Sequence, residues 1–160
     1  MKIRQASISD IKTLTRIIRN SYHTVADKFG FNNDNCPKHP SNCTDKWVKS
    51  DMERGITYFL LESCGKGIGC VALEKANQDL WYLERLAVIP ESRNKGFGKS
   101  LVEYVFHEAQ LHRCKRISIG IIAKQNELKN WYSKFGFKEG LTKSFDHLPF
   151  EVTFMECDII

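Results

Sequence analysis

No apolar run in this chain approaches the roughly 20 residues a helix needs to cross a bilayer, so no membrane span is expected. The opening residues, Met1-Lys2-Ile3-Arg4-Gln5-Ala6, lack the apolar core of a secretory leader, and the expected location is cytoplasmic. The cysteines, Cys36, Cys43, Cys64, Cys70, Cys114 and Cys157, include no C-x-x-C pair; without a secretion signal they are expected as free thiols. Cys36, His39 and Cys43 do cluster in a Pro- and Asn-rich loop. Three soft ligands could hold zinc, but a closed structural site takes four and no second pair is present, so no metal is expected. Repeats, low-complexity tracts and linkers are also missing, and 160 residues read as one domain, 1–160, large enough for a sizeable core. The net charge of +5 is spread along the chain rather than gathered on one face, which argues against a nucleic-acid partner. Ser100 and the cysteines have no nucleophile motif such as G-x-S-x-G around them.

What is present centres on Leu80–Leu111. Leu80 to Val88 is β-branched, aromatic and apolar enough for a largely buried strand. Pro90 ends it, having no N–H for a ladder. From Phe97, the apolar residues Phe97, Leu101, Val105 and Ala109 recur every four positions, with Val102 and Phe106 widening the stripe, so a helix follows. The loop between holds Arg93, Asn94, Lys95, Gly96, Gly98, Lys99 and Ser100 around the helix start. Helix-start amides lack intrahelical acceptors and carry partial positive charge. Glycines let a ligand's oxygens approach those amides, and three cations stand nearby. The ligand such a loop suits is a pyrophosphate.

Three phosphate-loop patterns compete. Gly98-Lys99-Ser100 ends like a Walker A loop, but Arg93 occupies its first glycine position and no Asp ends the next strand, Arg116–Ile122, to hold magnesium. Gly96 and Gly98 begin a dinucleotide fingerprint, but Leu101 stands where its third glycine belongs. The pattern R/Q-x-x-G-x-G/A is met at every position by Arg93-Asn94-Lys95-Gly96-Phe97-Gly98. That loop resembles the acyl-CoA pyrophosphate loop of the GNAT superfamily of N-acetyltransferases. A second block, Asn126-Glu127-Leu128-Lys129-Asn130-Trp131-Tyr132-Ser133-Lys134-Phe135-Gly136-Phe137, resembles the family's N-x5-Y-x3-G-F segment.

The order of elements agrees with that resemblance. Lys2 to Ala6 alternates as a strand, and Ile11, Leu14, Ile17 and Ile18 predict a helix to about Tyr22. A short helix around Val25–Phe29 and the loop Asn32–Cys43 precede a helix capped by Thr44 and stopped by Gly55. Ile56–Glu62 and Ile68–Glu74 read as a hairpin that leads into the central strand. After Arg116–Ile122 come a helix over 126–135 and strands near Phe137–Ser144 and Glu151–Asp158. The fold class is α/β: one mixed sheet flanked by helices in the order βααβββαβαββ, which is also the GNAT order.

The resemblance implies acetyl-CoA as cosubstrate and two central parallel strands that splay apart. By position, Leu86, Ala87 and Val88 would face the pantetheine and thioester, where a free backbone N–H stabilises developing negative charge. Arg93, Asn94, Lys95, Gly96, Phe97, Gly98, Lys99 and Ser100 would hold the pyrophosphate, and Asn126 would cap its helix or contact coenzyme A. Tyr132 matches the family's general acid, although its spacing with Leu128, Trp131 and Phe135 equally describes a packed tyrosine. Glu84 lies two residues before Leu86, on the same face of a regular strand. There an apolar setting would raise its pKa toward a general base's range, unless it pairs with Arg85 or another cation. Asp146 and His147 are weaker candidates for lining the acceptor pocket. The expected activity is acetyl transfer to a primary amine of a small molecule or peptide, without a covalent enzyme intermediate and with a homodimer possible. The rival readings are a non-catalytic acyl-CoA-binding module of the same fold and, less well matched, a phosphate-loop nucleotide-binding protein. No dense acidic cluster favours polyamines or aminoglycosides as acceptors.

Overall fold

The strands are β1 (Lys2–Gln5), β2 (Thr57–Ser63), β3 (Lys66–Lys75), β4 (Leu80–Val88), β5 (Arg116–Ile122), β6 (Lys138–Ser144) and β7 (Glu151–Asp158). The helices are α1 (Ile11–Phe29), α2 (Asp45–Glu53), α3 (Phe97–Leu111) and α4 (Asn126–Ser133). The structure, a computed structural model, describes residues 1–160. The strands form one sheet in the order β1-β2-β3-β4-β5-β7-β6. All neighbours are antiparallel except β4 and β5, which run parallel. No helix is long and apolar enough to cross a membrane.

Adjacent residues on β2 show how the layers are arranged, because successive strand side chains point to opposite faces. The Tyr58 hydroxyl reaches Asp51 of α2 at 2.6 Å, while the Phe59 ring packs on Tyr104 of α3, 5.0 Å between centroids. Helices α1 and α2 therefore cover one face, and α3 covers the other. The β2–β3 hairpin closes through Cys64-Gly65, both at positive φ (52° and 74°), which matches the right-handed twist of the strands. All the cysteines are free.

Helix α1 departs from expectation. It runs unbroken for 19 residues to Phe29 instead of stopping near Tyr22 before a separate short helix around Val25–Phe29. Nothing between Tyr22 and Ala26 forbids helical φ, and continuing buries Ala26. Gly30, left-handed at φ 72°, ends the helix by donating its N–H to the Ala26 carbonyl.

The second departure shapes the site. Cys70 pairs with Ala87, but Ala72 pairs with Glu84, so β4 carries one extra residue across this stretch. Arg85 sits in that bulge at φ 49°. A bulge breaks the two-residue alternation and bends its strand. Glu84 therefore shares a face with Ala87, whose partners Ala72 and Cys70 lie on one side of β3. The expectation that Glu84 and Leu86 point the same way is corrected by this geometry. Just ahead of the bulge β4 also leaves β5. Their pairing covers only Leu80–Tyr82 against Arg116–Ser118, while β5 continues to Ile122 along β7.

The bulge is braced from α2. Asp51, with only 8% of its side chain exposed, accepts hydrogen bonds from Tyr58 (2.6 Å) and Arg54 (2.8 Å) and lies 3.7 Å from the Arg85 guanidinium. Arg85 also stacks near Trp47, 5.7 Å from the ring centroid. Removing one partner of a sequestered charge pair strands the other. Asp51→Ala is expected to lower unfolding free energy by about 3 kcal/mol in urea titrations. A loss below about 1 kcal/mol would mean that Arg85 is compensated by solvent.

Candidate active site

Where β4 and β5 part, the sheet opens into a cleft of ≈ 1890 Å³ bounded by Leu83–Leu86 and Val88 on one side and Ile119–Ile122 on the other. Past Tyr82 the β4 edge that faces β5 has no strand partner, so its polar groups point into this space. One is already claimed: the Leu86 carbonyl accepts the Tyr22 hydroxyl of α1 at 3.2 Å. Leu86 and Val88 line the cleft, whereas the Ala87 side chain is turned into the core.

The glycine loop closes one end. Asn94 (φ 61°) and Gly96 (φ 84°) are both left-handed, and Gly96 is the N-cap of α3. No amide from Asn94 to Lys99 finds an acceptor in the protein; the first helical bond is Ser100 N–H to the Gly96 carbonyl, 3.0 Å. Consecutive free amides at a helix start are a nest for an anion. Asn94, Gly96, Phe97, Gly98 and Lys99 line the cleft, while the exposed Lys95 stands just outside it. Lys99 lies 3.6 Å from Glu103, and the Ser100 hydroxyl donates back to the Gly96 carbonyl at 3.2 Å. The Arg93 guanidinium reaches Ser21 O (2.7 Å), Thr24 Oγ1 (3.1 Å) and Val88 O (3.2 Å), tying the loop to α1 and to the end of β4. Asn126 does not cap its helix. It is the first helical residue, exposed, and the N-cap is Gln125, which lines the cleft.

Glu84 opens onto the same cleft from the α1–α2 face. Burial pushes its carboxyl up to about 7, and the neighbouring Glu74, on the same face of β3, pushes in the same direction. Arg85 does not neutralise it, because the bulge delivers that guanidinium to Asp51. Tyr132 is buried, with its ring edge-on to Trp131 (5.0 Å) and Phe137 (5.4 Å). Its hydroxyl has no protein partner, and no polar side-chain atom is sealed from solvent without one, so the hydroxyl meets the cleft that Tyr132 lines. Burial raises its pKa well above an ordinary phenol's, which keeps the proton in place.

Asp146 and His147 do not line the cleft; Phe150, a few residues on, does. Cys36, His39 and Cys43 form no metal-ligand cluster. Three lining residues were not expected at the cleft from the sequence: Tyr22, Glu74 and His39, the last noted there only as one of three soft ligands in a loop. Tyr22 and His39 became legible only once α1 continued past the expected stop and brought the following loop against the cleft. Glu74 became legible once the β3–β4 register, Ala72 opposite Glu84 and Glu74 opposite Tyr82, set the two carboxylates on one face.

A raised carboxyl pKa links stability to pH. The folded chain holds the Glu84 proton from the ordinary value, 4.5, up to about 7, while the unfolded chain releases it. This contribution is complete below 4.5 and is lost as pH rises through 7. Melting temperature should fall between pH 5 and pH 8, and by less in Glu84→Gln. Parallel profiles for the two proteins would contradict the raised value.

Residues 54–139, more than half of the chain, match the family model described as an acetyltransferase (GNAT) domain. No curated protein sequence matches. Among solved structures, the chain is similar to the ribosomal-protein-S18-alanine N-acetyltransferase from Escherichia coli, with TM-score 0.79, 16% identity, and 99% of this chain and 93% of that one covered. It is similar to the PaiA N-acetyltransferase from Thermoplasma acidophilum in complex with coenzyme A, with TM-score 0.75, 20% identity and 98% of each chain covered. A GNAT family acetyltransferase from Elizabethkingia anophelis with acetyl-CoA bound gives TM-score 0.62 and 16% identity over 72% of this chain and 83% of that one. At such identities the structures speak for the fold, and the family model for the lineage. With its mixed sheet, parted central strands and glycine loop, this chain belongs to the GNAT acetyltransferase family.

Proposed function

We propose that this protein transfers the acetyl group of acetyl-CoA directly to a primary amine of a small molecule or peptide. The observation that carries the reading is the run of unbonded amides from Asn94 to Lys99 at the mouth of a cleft with a free strand edge. The amides and Lys99, with Lys95 beside them, suit a pyrophosphate, and the open β4 edge from Leu86 to Val88 suits the amide-rich pantetheine arm. Similar structures hold coenzyme A or acetyl-CoA, and one is named for the alanine of a ribosomal protein, so a peptide amine belongs in the acceptor range.

Acetyl-CoA supplies the activated acyl group; the chain supplies positioning and proton transfer. Glu84, with its carboxyl near 7, takes the proton of the attacking amine directly or through water. A free N–H on the β4 edge stabilises the negative charge that develops on the thioester oxygen. Tyr132 keeps its proton across the working range and gives it to the departing thiolate. No side chain forms a covalent intermediate.

The test is release of free CoA thiol from acetyl-CoA over a panel of amines. With an accepted amine, kcat/KM should rise with pH through about 7 as Glu84 loses its proton. Glu84→Gln should abolish that limb and lower kcat/KM about 100-fold, and Tyr132→Phe should lower kcat at least about tenfold. Acetyl-CoA binding without thiol release for any amine would leave the non-catalytic module as the function.

A further inference from the structure

The cleft carries, against Tyr22 of α1, a polar group that neither the acid nor the base role uses. His39 lies in the loop between α1 and α2, only 5% exposed, and lines the cleft. It is the N-cap of the turn Pro40–Asn42, with its Nδ1 accepting the backbone N–H of Ser41 at 3.3 Å and lying 2.8 Å from the Ser41 hydroxyl. A backbone N–H can only donate, so Nδ1 carries the lone pair and the ring proton sits on Nε2. Nε2 has no protein partner, and no polar side-chain atom in the chain is both sealed and unpaired, so Nε2–H reaches the cleft. Burial lowers the imidazole's pKa to about 4, which keeps the ring neutral wherever Glu84 works as a base. A neutral ring with its proton on Nε2 cannot take a proton there. It is a fixed donor.

The surroundings say what it would donate to. The imidazole is held edge-on to Tyr22 (5.9 Å) and against Phe31 (5.0 Å), which in turn packs on Phe150 (5.1 Å). Tyr22, Val25, Pro40 and Phe150 face the cleft as apolar surface, and Glu74 and Glu84 line the same cleft. The carboxylates suit an amine, the apolar surface suits an apolar or aromatic group, and the lone N–H suits an oxygen acceptor. A molecule that satisfies all three is an amine with an apolar side group and a carbonyl, such as an apolar amino-acid amide or a peptide amino terminus.

The geometry points to His39 as a residue that selects the acceptor, its Nε2–H donating to a carbonyl oxygen of an apolar primary amine. This rests on the acetyltransferase reading above. The experiment compares kcat/KM for phenylalaninamide and for 2-phenylethylamine, which lacks the carbonyl, in wild type, His39→Leu and His39→Gln. The ratio of the two substrates cancels between enzymes any difference in the amines' own basicity. The amide-to-amine ratio should fall about tenfold in His39→Leu, the loss expected for one buried hydrogen bond, and recover in part in His39→Gln, which keeps an N–H. An unchanged ratio in His39→Leu would overturn the assignment, as would failure of wild type that binds acetyl-CoA to acetylate either amine. Failure to bind acetyl-CoA would instead overturn the acetyltransferase reading itself. Should the variants not fold, the ring ¹⁵N shifts of the wild-type protein report the tautomer: a proton on Nε2 is expected, and a proton on Nδ1 overturns the proposal.

Discussion

The parting of β4 from β5 after Tyr82 and Ser118 is the constraint on which the rest of the site depends. Two parallel strands that stayed paired would satisfy each other's backbone groups and leave no room for a ligand. Because they separate, one edge of a central strand lies bare inside the molecule, a condition that proteins tolerate only where something else meets those groups. The bulge at Arg85 bends β4, and the guanidinium it projects is anchored by Asp51 of α2 on the same face of the sheet. Helix α1 closes the other flank: Tyr22 bonds the Leu86 carbonyl, and Ser21 and Thr24 hold the Arg93 guanidinium.

The same bulge sorts the charges. In a regular strand Glu84 and Arg85 would point to opposite faces; here both project to the α1–α2 side, yet they do not neutralise each other. Arg85 goes to Asp51, and Glu84 goes to Glu74. The first pairing keeps a cation satisfied near the acceptor space. The second, with burial, leaves a carboxyl that can exchange its proton near neutrality. Buried tyrosine and neutral histidine then present donors whose protonation does not change over that range. A site with one titrating group and fixed neighbours is well suited to directional proton transfer.

Much of this was legible in the sequence because it depends on local chemistry. The strand–Pro–loop–helix at Leu80–Leu111 carries its own signals: apolar alternation, a residue without an N–H, two glycines and a four-residue apolar repeat. The element order and the free thiols followed equally directly. The bulge was not legible, since Leu83-Glu84-Arg85-Leu86 contains no glycine or proline to mark a positive φ, and the conformation of Arg85 is held by contacts to Asp51 and Trp47 that are distant in the chain. The face assigned to Glu84 relative to Leu86 failed for that reason. The boundary of α1 failed because tertiary burial of Ala26 outweighed weak local propensity around His23-Thr24-Val25. Arg93 was legible as a motif residue, but its hydrogen bonds to α1 depend on that longer helix.

The most direct measurement is a titration of ¹⁵N-labelled protein with acetyl-CoA, following the backbone amides while calorimetry gives the affinity. Saturable binding is expected, with the largest amide shifts from Asn94 to Lys99 and along β4 past Tyr82. Absence of binding, or shifts confined to surfaces away from the loop and the parted strands, would contradict it.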